Sequence, residues 1–219
     1  MAAKPLTTTS YALLAHLAVQ PWSAYELAKQ MTRGMDLVWP RAESAIYAEP
    51  KNLVAHGLAR VADRPAGLRT RAVYSITPKG RRALAAWFAT DPSPPQFESE
   101  ALLRVFFAEQ TGRGELVGAV ESVGRFGRQV RERLVAQIQG YLDEDGPFPE
   151  RWHVIALGSR FLLGLATWME EWAGWAVGEV AGWPDGDPPE AAAVLAESLR
   201  LYGLRPEGSG PARVPDDAA

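Results

Sequence analysis

Three prolines in six residues, Thr90-Asp91-Pro92-Ser93-Pro94-Pro95, divide this chain. Proline lacks the amide hydrogen a helix needs and clashes with the preceding turn, so no helix continues through such a run. The two sides differ in charge. Residues 1–90 hold 12 Lys and Arg against 5 Asp and Glu, a local charge of +7, whereas residues 91–219 hold 11 against 21, or −10. The formal total of −3 is therefore a cancellation. Asymmetry of this size predicts a basic module for a polyanion and an acidic module with another task. The division expected is a first domain over 1–90, a linker over 91–95, a second domain over 96–204, and a disordered Gly/Pro-rich tail over 205–219.

In the basic part, Ser10 precedes the apolar series Tyr11, Leu13, Leu14, Leu17 and Ala18, which has helical spacing and stops at Pro21. Ser23 followed three positions on by Glu26 predicts a capping box and a second helix ending near Gly34. A third helix is expected over Arg41–His56, closed by Gly57. Two short strands, Leu58–Ala62 and Arg71–Thr77, flank a turn over 63–68 and read as a hairpin. Thr77-Pro78 then starts a fourth helix, with Thr77 as its cap. Three helices, a hairpin and a helix in this order are the elements of a winged helix-turn-helix domain.

The chemistry points the same way. Ala42, Ile46, Leu53 and Val54 can face a core, while Ser44, Tyr47, Lys51 and Asn52 offer hydrogen-bonding groups to a DNA major groove. Arg41 stands at the start of that helix. Arg64, Arg69 and Arg71 in the hairpin suit phosphates or the minor groove, and Lys79, Arg81 and Arg82 add cations at the next helix start. A protein-interaction module is the competing reading of the same elements, and Tyr47 could instead pack on the hairpin.

These residues carry a family resemblance. Leu13-Leu14, Tyr25-Glu26-Leu27, Trp39-Pro40, Ser44-Ala45-Ile46-Tyr47, His56-Gly57-Leu58, Val73-Tyr74-Ser75-Ile76-Thr77-Pro78 and Gly80-Arg81 fall in the order and spacing of PadR-like transcriptional regulators. The resemblance over residues 6–90 implies a dimeric DNA-binding regulator, usually a repressor, with the third helix in the major groove and the hairpin as wing. Pro50 departs from the pattern, so the recognition helix is expected either to kink there or to begin anew. Pro50 is also the motive for an alternative: a helical interaction or sensor protein whose winged-helix module no longer binds DNA specifically.

The acidic part reads as wholly helical, making the chain mainly α with a small β wing. Helices are expected over 97–110, 115–142, 151–181 and 190–202. Leu116, Val120, Val123, Gly127, Val130, Leu134, Ile138 and Tyr141 are spaced by steps of three and four, the seam of a helix that packs on another helix. The resemblance extends more weakly over residues 96–183 and implies a homodimer interface there. Phe161, Leu165, Trp168, Trp172 and Trp175 form an aromatic stripe. It is either dimer core or a platform for a planar aromatic effector, with Trp168, Trp172 and Trp175 as ligand-binding candidates.

Several classes are disfavoured by inventory. With no cysteine there is no disulfide framework, thiolate metal site or thiol nucleophile. His16, His56 and His153 are isolated in sequence, and no phosphate loop or nucleophile elbow is present. Neither enzyme, cofactor nor metal is expected, Asp143-Glu144-Asp145 reading as a solvated turn. Residues 161–183 are long enough to span a bilayer, but Glu170, Glu171 and Glu179 oppose it. Met1–Leu6 lacks an apolar run, and a cytoplasmic setting is expected.

Overall fold

The computed structural model describes residues 3–66, 69–143, 146–184 and 191–204. They fall into two compact units, Met1–Pro95 and Gln96–Ala219. The architecture is mainly α with one small antiparallel sheet, the class the sequence predicts.

Helix α1 (Thr8–Val19) is capped by Thr7 rather than by Ser10. The Thr7 hydroxyl accepts from the Ser10 N–H at 3.4 Å, and the Ser10 hydroxyl accepts from the Thr7 N–H at 2.8 Å. Serine thus fills the reciprocal position where Glu or Gln is usual. Strand β1 (Trp22–Ser23) is too short for any periodicity to reveal. Helix α2 (Ala24–Gly34) starts on the expected capping box, Ser23 Oγ accepting from the Glu26 N–H at 3.3 Å and Glu26 Oε2 accepting from the Ser23 N–H at 2.8 Å.

Helix α3 spans Glu43–Ala55, shorter at its start than expected because Ala42, not Arg41, holds the cap position. It ends in a Schellman turn. Gly57, at φ +70°, donates to Val54 O at 2.9 Å, and the Leu58 N–H donates to Leu53 O at 2.9 Å. Strands β2 (Ala59–Ala66) and β3 (Arg69–Ile76) run longer than predicted, absorbing Asp63, Arg64 and Pro65 from the expected turn. Pro65 is tolerable there because β2 is an edge strand of the order β1-β3-β2. Helix α4 (Pro78–Phe88) begins with Thr77 as cap, its hydroxyl accepting from the Gly80 N–H at 3.0 Å. The core of this unit is Leu13, Leu14 and Leu17 from α1, Leu27 and Met31 from α2, Ile46 and Leu53 from α3, and Leu84 from α4. Tyr11 stacks on Trp87, with ring centroids 5.2 Å apart and planes 4° from parallel.

In the second unit, helix α5 covers only Glu100–Phe106, followed by a single 3₁₀ turn at Ala108–Gln110. The expected helix over 97–110 is cut at its start by Ser99, whose hydroxyl accepts from the Leu102 N–H at 3.2 Å. Gly112-Arg113-Gly114 was expected to separate helices, yet α6 (Arg113–Asp143) already contains Arg113 and Gly114. A 3₁₀ turn at Pro149–Arg151 leads into α7 (Trp152–Ala181), and α8 spans Ala191–Leu201. The acidic turn at residues 144 and 145 and the tail over 205–219 lie outside the described residues.

Helices α6 and α7 pack antiparallel through small side chains. Leu116, Val120, Val123, Gly127, Val130 and Leu134 of the predicted seam are buried, opposite Ala166, Met169, Ala173, Ala176 and Val180. An added Cβ on Gly127 would lie 2.6 Å from Ala166 O and 2.8 Å from Met169 Cβ. Across this contact Glu170 accepts from Arg131 Nε at 2.5 Å and from Arg128 Nε at 3.4 Å. Hydrogen bonding from Arg131, then from Arg128, holds the Glu170 carboxyl below its ordinary range.

Gly127→Ala should destabilise the protein by about 1–3 kcal/mol through overpacking. Gly118→Ala, where a Cβ meets nothing within 4 Å, should instead stabilise it by about 0.5–1 kcal/mol from helix propensity. Urea unfolding of the two variants checks the difference in sign.

Candidate nucleic-acid interface

Helix α3 sorts its side chains by period. Ile46, Pro50 and Leu53 face inward and are buried, while Ser44, Tyr47 and Lys51, spaced by three and four residues, are exposed along the other side. Pro50 gives no N–H to the helical ladder, but its ring fills the core and the helix runs unbroken through it. Helix α3 does not begin anew at Pro50, so Ser44, Tyr47 and Lys51 share one continuous face. Pro50 then offers no ground for expecting an impaired helix.

Other expected contacts are differently placed. Arg41 precedes α3, with its guanidinium 4.1 Å above the Trp39 ring and its Nη1 donating to Pro40 O at 2.6 Å. Trp39 is itself anchored, its Nε1–H donating to Thr9 Oγ1 at 3.0 Å. Asn52 is already engaged: its Oδ1 accepts from the Lys4 N–H at 2.9 Å and its Nδ2 donates to Glu49 Oε1 at 3.0 Å. Lys79 Nζ donates to His56 O at 2.8 Å, closing the end of α3 against the start of α4. Asn52 and Lys79 are thus turned to internal bonds.

In the wing, β2 and β3 pair in a register that sets Arg64 opposite Arg71. Like charges directly opposite repel, so this ribbon carries a cost that an anion would relieve. Glu26 meets part of it through a 3.0 Å ion pair with Arg71, which remains half-exposed. An exposed pair of this kind contributes about 1 kcal/mol at most and yields readily to a competing phosphate. Arg64 is exposed, while the side chain of Arg69 lies outside the described residues, its backbone belonging to β3.

Glu26 also holds α2 in place. Its carboxyl sits below the ordinary Glu range, chiefly because it accepts the Ser23 N–H, with smaller contributions from the Ser23 hydroxyl and Arg71. A second connection escaped the sequence reading. Buried Ser10 donates to Glu49 Oε1 at 2.5 Å, tying α1 to α3 across 39 residues. Helical periodicity carries no signal for such a pair.

In the second unit Trp168 and Trp175 turn outward. Trp168 and Trp175 are each 46% exposed, because small residues occupy the α6-facing side of α7. Trp168 and Trp172 stack with centroids 6.4 Å apart. A groove of about 740 Å³ runs between the end of α6 and the first half of α7, lined by residues that include Ile138, Tyr141, Trp152, Leu163 and Trp168. Arg160 and Glu171 are its charged lining groups. Of the three expected ligand residues only Trp168 lines this groove; Trp172 packs partly on the α6–α7 core and Trp175 lies outside. Among the described residues no cluster of metal-ligating side chains occurs, and no helix is long and apolar enough to cross a membrane.

Residues 13–86 match the model of the transcriptional regulator PadR-like family, a family of regulators rather than enzymes. No curated protein matches the sequence. Among solved structures, PadR from Bacillus subtilis in complex with operator DNA is similar at 18% identity and a TM-score of 0.68, covering 80% of this chain and 99% of that one. The same protein in complex with p-coumaric acid is similar at 18% identity and a TM-score of 0.64, covering 80% and 99%. A PadR-like regulator from Bacillus cereus is similar at 13% identity and a TM-score of 0.68, covering 80% and 98%. At these identities the likeness establishes the fold.

Because the folded-state value of Glu26 lies below its unfolded value, the carboxylate stabilises the protein at every pH above the ordinary Glu range. That contribution should disappear as acid protonates Glu26 in the folded chain. Glu26→Gln preserves the capping box but not the titration, so its stability should fall less steeply below the ordinary Glu range. Denaturant unfolding across an acid pH series checks this.

Proposed function

We infer, for a chain whose first unit carries a PadR-like transcriptional-regulator module over residues 13–86, that the protein is a homodimeric repressor acting in the cytoplasm on a pseudo-palindromic operator. The observation that carries this reading is the exposed Ser44–Tyr47–Lys51 face of α3, within residues 1–90 of local charge +7. A helix face of that kind suits a major groove, and the hairpin arginines suit the adjoining backbone. That Bacillus subtilis PadR is seen with operator DNA supports the same role here.

Homodimerisation has separate support. The second unit leaves Phe106 75% exposed, Leu157 72% and Phe161 70%, large apolar groups that a lone chain would hold in water. A two-fold axis through such helices would also set two recognition helices one DNA turn apart, about 34 Å. The α6–α7 groove is the proposed effector site, in which Trp168 stacks on a planar aromatic ligand and releases the protein from DNA. The p-coumaric acid complex of Bacillus subtilis PadR supports a ligand of that chemistry.

Binding measured over a salt series should weaken with a log–log slope of about −0.9 per phosphate neutralised. Replacing Arg64, Arg69 and Arg71 together with Ala should weaken binding to selected and unrelated duplexes alike, since backbone contacts carry no sequence information. Absence of sequence-selective binding at low salt would overturn the regulator reading.

A planar aromatic acid should quench tryptophan fluorescence saturably and reduce DNA affinity. Trp168→Ala should abolish that response and Trp175→Ala should leave it; the reverse pattern would reject the groove as effector site.

A further inference from the structure

Residues 3–5 belong to no helix or strand and are exposed, yet they are held in place. The hold is a two-point clip on one residue. The Lys4 N–H donates to Asn52 Oδ1 at 2.9 Å, and the Lys4 carbonyl lies 2.7 Å from His56 Nε2. A carbonyl can only accept, so Nε2 carries the proton of that bond. Asn52 in the last turn of α3 and His56, its C-cap residue, stand four residues apart and so share one side, which lets them grip both ends of a single peptide residue. Pro5 reinforces the arrangement, since the residue before a proline is kept extended.

The clip has a direction. At about 100° per residue, Asn52 lies on the flank of α3, one residue round from Lys51, and His56 stands at the helix end. Asn52 is itself steadied by Glu49, which buried Ser10 holds from α1. The N-terminal segment is thus moored along the edge of the recognition helix, with an exposed lysine at the mooring point. Burial does not account for this placement, because Ala3, Lys4 and Pro5 are all exposed.

We propose that residues 3–5 are a DNA-contacting arm, clipped to α3 by Asn52 and His56, in which Lys4 meets a backbone phosphate at the edge of the groove that α3 enters. The inference rests on the regulator reading above and extends it. Asn52 and His56 are positioning residues: Asn52 holds the arm and does not read a base. Lys4 adds affinity without specificity, as phosphate contacts do.

The test uses the full chain and the duplex that the unaltered protein enriches from a randomised pool. Lys4→Ala should make the salt slope shallower by about 0.9 for each Lys4 that meets a phosphate, with equal loss on an unrelated duplex. Asn52→Ala combined with His56→Ala should give the same decrement, and adding Lys4→Ala to that pair should change nothing further. His56→Gln, whose amide N–H can still donate, should retain most of the slope. Thermal unfolding of each variant separates a loss of folding from a loss of the arm. An unchanged slope in Lys4→Ala, with the unaltered protein binding normally, would overturn the arm alone. An Asn52→Ala effect confined to the selected duplex and additive with Lys4→Ala would overturn the clip and make Asn52 a base-reading residue. Failure of the unaltered protein to enrich any duplex would overturn the regulator reading and the arm with it.

Discussion

The first unit is organised around the carbonyl of Leu58. Its residue closes α3, since the Leu58 N–H bonds back to Leu53 O, and one residue later β2 begins. The carbonyl then accepts from the Thr77 N–H at 2.9 Å and from the Thr77 hydroxyl at 3.1 Å, drawing the start of α4 onto the same corner. Gly80 completes the approach, because an added Cβ would stand 2.1 Å from that oxygen. Helix α3, the hairpin and α4 therefore share one hydrogen-bonded corner. Gly57 makes the corner possible by adopting a positive φ that other residues avoid.

The second unit depends on close approach. Gly124 and Gly127 on α6 face Ala173, Ala166 and Met169 on α7, and a Cβ at either glycine would come within 3 Å of its neighbour. Helices that close leave no room for indole rings between them. The same packing that buries the small residues therefore sends Trp168 and Trp175 outward, where one lines a groove and the other stays on the surface.

Much of the fold was legible from local signals. The Ser23–Glu26 capping box, the Thr77-Pro78 helix start and the Gly57 helix end are each written in two to four neighbouring residues. Where the expectations missed, a competing local choice won. Helix α1 starts at Thr8, ahead of Ser10, because Thr7 caps it and Ser10 answers from within the first turn. The wing ran past the predicted turn because edge pairing tolerates Pro65. The period-seven seam of α6 was correct over most of its length; Ile138 and Tyr141 at its end line the groove instead.

By itself the sequence determined most helix ends, that Ile46 and Leu53 of α3 point inward though not that Ala42 stays exposed and Pro50 is buried, and that a basic unit precedes an acidic one. Caps, periodicity and charge act over a few residues or simply add, so no fold is needed to read them. Only the tertiary structure decided which polar side chains remain available. Asn52, Lys79 and Arg71 spend hydrogen bonds on partners 48, 23 and 45 residues away, and nothing local to any of them announces the partner. It likewise decided that Trp168 and Trp175 face outward, because that depends on the volume the opposing helix leaves, a property of two surfaces together.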